Sequence, residues 1–145
     1  MIGAMHHLDL VVTSLDRSLA FYQDLLGWTE SGDIEGERGE RVVYIWPPGR
    51  SATWVGSIGL REKQSDDRRV PYDRYGVGIH HVAWHAGSRE EVDERHRWLR
   101  ARGAAIESEP REYAYMPGYY AVFFYDPDGL KLEIVHQPPL EEANE

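Results

Sequence analysis

The stretch IHHVAWHA, residues 79–86, places three histidines in what otherwise reads as a buried strand, and MHHLDLVV, residues 5–12, begins with the same doublet. From His7 the pattern alternates: Leu8, Leu10 and Val12 face one way, while His7, Asp9 and Val11 face the other. From His81, Val82 and Trp84 share one face, and Ala83 and His85 share the opposite face with His81. Each strand leads into a helix. In SLDRSLAFYQDLLGW (14–28) Leu15, Leu19, Tyr22 and Leu26 recur at helical spacing between a Ser14 cap and a Gly27 stop. In SREEVDERHRWLRARG (88–103) Ser88 and Glu91 form a capping box and Gly103 ends the run. Strands are then expected at ERVVYIW (40–46) and TWVGSIGL (53–60), separated by the turn signal PPGR, and two more in GYYAVFFYDPDGLKLEIVH (118–136), joined at Asp126–Gly129.

The halves keep the same spacing. Ser14 follows His7 by seven residues and Ser88 follows His81 by seven; Gly27 and Gly103 follow by 20 and 22. An internal repeat constrains architecture more than local propensity does. It predicts one domain over residues 1–145, with a first module at about 4–60, a connector at about 61–77, a second module at about 78–137 and an acidic tail at 138–145.

Related halves also put position 52 after each histidine in matching places. That position is Glu133 in the second half and Gly59 in the first. In GLKLEIVH the apolar Leu130, Leu132 and Ile134 take one face and leave Glu133 on the other with Lys131 and Val135. His7, His81 and Glu133 therefore project from the non-helix side of their strands. Two imidazoles and a carboxylate suit Fe(II), Mn(II), Zn(II), Co(II) or Ni(II) and leave coordination positions open for substrate or water. By alternation His6 and His80 point to the opposite face, as structural residues. His85 lies too far along its strand to join the same shell and reads as a pocket or surface residue.

Composition narrows the classes of function. At 145 residues, 41% hydrophobic, the chain can bury a real core. It has no cysteine, so any metal site rests on histidine and carboxylate. A formal charge of −9 disfavours nucleic acid as a partner. No long apolar run and no secretory leader is visible, which predicts a cytoplasmic protein without a membrane span.

HLDLVVTSLDRSLAFYQDLLGW, HHVAWHA and YYAVFFYDPDGLKLEIVH together resemble the vicinal oxygen chelate superfamily of glyoxalase-like lyases, epimerases, fosfomycin-resistance enzymes, extradiol dioxygenases and bleomycin-resistance proteins. The resemblance spans most of residues 4–137. It implies an α+β fold of two βαβββ modules, a curled mixed sheet around a metal-containing cavity, with one divalent ion held by His7, His81 and Glu133. It also implies a homodimer and a small substrate with two adjacent oxygens, subject to Lewis-acid lyase, isomerase or dioxygenase chemistry. The competing expectation is a metal-free dimer that sequesters a cationic drug, as in the bleomycin-resistance branch.

Departures from the family pattern bear on the reaction. Gly59 occupies the usual place of a fourth, glutamate ligand, which counts against ordinary lactoylglutathione lyase activity. Phe123 stands where extradiol enzymes commonly carry a tyrosine, and EEANE replaces the basic residues expected of a phosphonate site. Glu40 lies at a strand entry used by some epimerases as a base; it is either that base or a solvated carboxylate. Asp9, on the face of His7, is the competing base or a partner for an outer group or water. Tyr113, Tyr115, Tyr119 and Phe123 line a pocket for a planar substrate or fill core and dimer interface. Arg111 is a candidate for binding a substrate carboxylate.

Overall fold

In the computed structural model, which describes residues 1–49, 54–65 and 72–140, the chain divides into two compact units, Met1–Arg69 and Val70–Glu145. The first begins with β1 (His7–Val12) and α1 (Leu15–Leu26). Short strands β2 (Thr29–Glu30) and β3 (Ile34–Glu35) follow, then β4 (Arg41–Trp46) and β5 (Ser57–Glu62). The second contains β6 (Val82–His85), α2 (Arg89–Ala101), β7 (Ile106–Glu112), β8 (Tyr120–Tyr125) and β9 (Lys131–His136). The fold is α+β, as expected, with a mixed sheet in each unit. The first sheet runs β1-β5-β4-β2, with β3 also on β4; the second runs β6-β9-β8-β7. In each unit the strand that precedes the helix pairs in parallel with the last strand.

Capping chemistry sets the helix limits. Ser14 Oγ accepts from the Arg17 N–H, and Ser88 Oγ accepts from the Glu91 N–H. Gly27 ends α1 at φ 67, where a side chain would be strained, and its N–H reaches Gln23 O. The buried face of α1 runs through Leu15, Ser18, Phe21, Tyr22 and Leu25, so Leu19 and Leu26 are only half-buried. Helix α2 is highly charged and buries just Val92 and Leu99, one stripe at a spacing of two turns. Against these stripes lie Ile58 and Leu60 in the first unit and Val122, Phe124, Leu132 and Ile134 in the second, all buried.

Three expectations are corrected. The strand expected at 53–60 begins at Ser57 and continues through Arg61 and Glu62, so the connector starts later than the composition implied. Residues 54–56 form a turn there. Strand β7 is the third strand that a βαβββ module implies, but the local pattern did not locate it: IESEPRE is polar and contains Pro110, which is tolerated because β7 is an edge strand with a shifted register between Ser108 and Arg111. The doublets also depart from alternation. His6 precedes β1, and both His80 and His81 precede β6, so the pleat does not yet fix their directions. Thr53 of the expected strand, connector residues 66–71 and tail residues 141–145 lie outside the described residues. Among the described residues no helix is long and apolar enough to cross a membrane.

Candidate functional site

The pleat of β9 separates its two faces as the sequence implied: Leu132 and Ile134 pack in the core, while Lys131 and Glu133 face a cavity of about 650 Å³ in the second unit. Glu133 is 1% exposed. A carboxylate that deep must be partnered, and both oxygens are. Its Oε2 lies 2.9 Å from His81 Nε2, and its Oε1 accepts a hydrogen bond from the Tyr119 hydroxyl. Burial, and then the Glu133 carboxylate, raise the Tyr119 phenol well above its ordinary value, so it stays a donor.

His81 is oriented from its other side. Its Nδ1 lies 2.7 Å from His80 Nδ1, so one of the two rings supplies the proton between them. The first unit repeats this contact, with His6 Nδ1 at 2.9 Å from His7 Nδ1. In both doublets Nε2 of the second histidine is left to face a carboxylate. His80, expected on the opposite face, lines the cavity beside His81. The Tyr72 hydroxyl donates to its carbonyl at 2.6 Å. His85 lies elsewhere, stacked on His136 and 3.2 Å from Gln137 O through Nε2.

The cavity wall is aromatic. Tyr113 stacks on Tyr115 with centroids 5.3 Å apart and meets Phe123 edge-on, and Tyr115 meets Tyr119 edge-on. Arg111 lies 4.7 Å over the Tyr113 ring. Lys131, missed by the sequence reading as a pocket residue, holds Nζ 4.5 Å from the Phe123 centroid and 2.7 Å from Glu107. Burial would raise the Glu107 carboxyl, but hydrogen bonds from Lys131, Arg74 and Tyr125 outweigh it and hold it down at about 2.

The first unit carries a different network on the matching strands. Asp9 Oδ2 accepts from Arg61 Nε at 2.6 Å and from the Tyr44 hydroxyl at 3.0 Å. Arg61 Nη1 also donates to Glu40 Oε1 at 2.9 Å. The backbone N–H groups of Glu40 and Arg38, with Arg61, hold the Glu40 carboxyl below its ordinary value. Both candidate bases are thus tied to one guanidinium. Arg61 escaped the sequence reading because its strand was expected to stop at Leu60. Asp9 Oδ1 has no hydrogen-bond partner despite its burial, and it lies 3.9 Å from His7 Nε2.

Strand register makes Gly59 the counterpart of Glu133. Asp9 pairs with Gly59 as Ala83 pairs with Glu133, and Tyr44 and Phe123 occupy matching positions on the next strand. A Cβ on Gly59 would lie 2.2 Å from Asp9 Oδ1 and 2.7 Å from Tyr44 Cε1, so glycine is required by close approach.

Of the three expected ligands, the structure brings His81 and Glu133 together; His7 lies in the first unit beside Asp9. Among the described residues no group of three or more His, Asp and Glu side chains forms a metal-holding cluster. The donor types nevertheless fit a divalent ion. Donors that bind one ion at about 2.1 Å and at right angles lie about 3.0 Å apart. The separation of His81 Nε2 and Glu133 Oε2, 2.9 Å, is that of an ordinary hydrogen bond, and a divalent ion replacing the shared proton would need only a small change in it.

Comparison with known proteins gives the family. The sequence profile of the Glyoxalase/Bleomycin resistance protein/Dioxygenase superfamily matches residues 4–134. The uncharacterized protein YqjT of Bacillus subtilis is 32% identical over 135 residues, 90% of this chain and 97% of its own. A 2-epi-5-epi-valiolone epimerase of Actinomyces sp. is 26% identical over 98% of this chain and 85% of its own. The fosfomycin resistance protein FosX from Listeria monocytogenes, solved with Mn(II) and a sulfate ion, shares the fold with a TM-score of 0.66 over the whole of both chains at 23% identity. The chain, with its duplicated histidine strands and its Glu133 at the matched end of the profile, belongs to the glyoxalase/bleomycin resistance protein/dioxygenase superfamily.

Proposed function

We propose that the protein is a divalent-metal-dependent enzyme acting on a small substrate with two adjacent oxygens. His81, Glu133 and His7 of the first unit are its metal ligands. The observation that carries this reading is the buried Glu133 carboxylate facing His81 Nε2 at 2.9 Å in an aromatic cavity. A bound ion would act as a Lewis acid on the chelated oxygens, in lyase, isomerase or dioxygenase chemistry. The epimerase relative supports an enzyme over a sequestering protein, and FosX, of the same fold and solved with Mn(II), supports a divalent ion.

The chain's own groups supply position and polarity. Tyr119 holds Oε1 of Glu133 and leaves Oε2 toward the imidazole, which favours monodentate ligation. For Nε2 of His81 and His7 to face an ion, their Nδ1–H groups would donate to His80 Nδ1 and His6 Nδ1, which leaves each Nε2 unprotonated. Tyr113, Tyr115 and Phe123 stack a planar body and exclude water, and Arg111 meets a carboxylate at the cavity rim. Arg61 holds both Asp9 and Glu40, and with the backbone N–H groups of Glu40 and Arg38 it lowers the basicity of Glu40, which disfavours Glu40 as proton acceptor while Arg61 holds it. The active species is a cytoplasmic homodimer in which a second copy covers exposed edge strands such as β6 and β7.

Elemental analysis of His81→Ala against wild type tests the assignment. The variant is expected to retain less than about a tenth of the wild-type metal, since loss of a ligand costs more than the 10- to 100-fold of an outer-shell partner. Stoichiometric metal in the variant would overturn it.

A further inference from the structure

We infer that Lys131 is the anion-binding residue of the second-unit cavity, and that the substrate is a planar molecule whose carboxylate it holds. The inference names the substrate class of the site proposed above; it rests on reading the cavity as the substrate site and does not need the ion. Every group it uses lies in the second unit.

Three observations converge on it. First, the ammonium is buried in the wall: Lys131 is 8% exposed, lines the cavity and holds Nζ 4.5 Å from the Phe123 centroid. A charge in such a place is costly unless anions compensate it. Second, the compensation is incomplete. Lys131 Nζ has Glu107 Oε2 at 2.7 Å, but Oε1 of the same carboxylate accepts from Arg74 and from the Tyr125 hydroxyl. Two cations share one carboxylate, which leaves the cluster an excess positive charge. The other carboxylate on that face of β9, Glu133, is already held by His81 and Tyr119. Third, an ammonium has three N–H donors. Among the described residues Nζ meets one carboxylate and one ring face, so a donor remains for a ligand.

The excess of one charge matches a carboxylate, and Glu107 beside the same nitrogen opposes a dianion such as a phosphate monoester. Planarity follows from the wall. The Phe123 ring under Nζ meets His81 edge-on at 5.9 Å and Tyr113 edge-on at 5.3 Å, so one aromatic surface joins the ammonium to the His81 and Glu133 pair. Lys131 and Glu133 lie two residues apart on one face of β9, about 6.5 Å along the strand, a gap that an aromatic ring bridges. A cavity of about 650 Å³ accepts such a body. Arg111, the other cation of the lining, sits at the exposed rim where solvent screens it, so discrimination between charged and neutral ligands falls to Lys131.

Calorimetric titration of the full chain with naphthoate and with neutral naphthamide, both in the presence of a chelator, tests this without the ion. Wild type is expected to bind naphthoate about tenfold or more tightly than naphthamide, as a hydrogen bond to a charged group implies. Lys131→Met keeps an apolar stem on Phe123 and is expected to lose that preference while binding naphthamide as wild type does. Glu107→Gln removes the competing carboxylate and is expected to tighten naphthoate binding by about threefold or more, a gain that a merely structural pair would not give. Arg111→Met is expected to keep the preference. Equal affinity of wild type for the two probes would overturn the inference, as would a preference that survives in Lys131→Met or is lost in Arg111→Met. Tighter binding of naphthyl phosphate than of naphthoate would overturn the carboxylate assignment. Binding of neither naphthoate nor naphthamide by wild type would overturn the reading of the cavity as the substrate site together with this inference. Absence of a metal ion would leave all these expectations unchanged.

Discussion

Glu133→Gln is expected to abolish stoichiometric metal binding, lowering affinity more than about 100-fold, beyond the loss an outer-shell partner brings. The expectation follows from how the residue is held. Glu133 is 1% exposed, with one oxygen on Tyr119 and the other on His81. Glutamine keeps the shape and can still accept from Tyr119, but it removes the negative charge that a divalent cation requires. Because a buried charge is expensive without a counter-charge, the metal-free variant is expected to be as stable as wild type or more so. The two effects separate in one assay: thermal unfolding with and without excess metal. Wild type is expected to rise in melting temperature with metal, by mass action on the folded state, and Glu133→Gln is not. A metal-induced rise in the variant equal to that of wild type would contradict the role given to Glu133.

The second large effect concerns stability. Gly59→Ala is expected to cost about 1–3 kcal/mol, as overpacking of a tightly filled site does. Its Cβ would meet Asp9 Oδ1 at 2.2 Å, Tyr44 Cε1 at 2.7 Å and Asp9 Cγ at 2.9 Å. The backbone at Gly59 does not have the left-handed conformation, so the cost is steric and is assigned to those neighbours. In an Asp9→Ala background the nearest of them is gone, and the cost is expected to fall by about 1 kcal/mol or more in a double-mutant cycle. Urea unfolding of the four proteins measures it. Additive effects would show that Asp9 does not fill the space beside Gly59.

Much of this was legible in the sequence where it depended on regular periodicity. Alternation along GLKLEIVH put Lys131 and Glu133 together on one face, and both line the cavity. The shared spacing from His7 to Ser14 and from His81 to Ser88 reported the repeated strand and helix, because caps are local chemistry and survive any tertiary context. The misses have a common cause, since each depends on where a pleat begins or on what lies across a sheet. His80 was assigned to the wrong side because its strand begins only at Val82. Arg61 was read as connector because the turn at 54–56 delays the start of β5 and carries its end to Glu62. Strand β7 has too little apolar alternation to announce itself, being an edge with Pro110 inside it.

Asp9 shows the limit most clearly. Its face was readable from alternation with His7, and an unpaired carboxylate on that face was a reasonable candidate base. The sequence could not show that Arg61 comes from a strand paired beside it, or that the glycine opposite leaves room for its free oxygen. Those are facts of cross-strand register, set by hydrogen bonds between segments about 50 residues apart.

The central claim, that this chain holds a divalent ion through His81 and Glu133, is tested most directly by elemental analysis of wild-type protein purified without chelator and then equilibrated with Mn(II), Fe(II), Co(II), Ni(II) or Zn(II). The account predicts close to one ion per chain for at least one of these metals. No bound ion with any of them, and no rise in melting temperature on their addition, would contradict it.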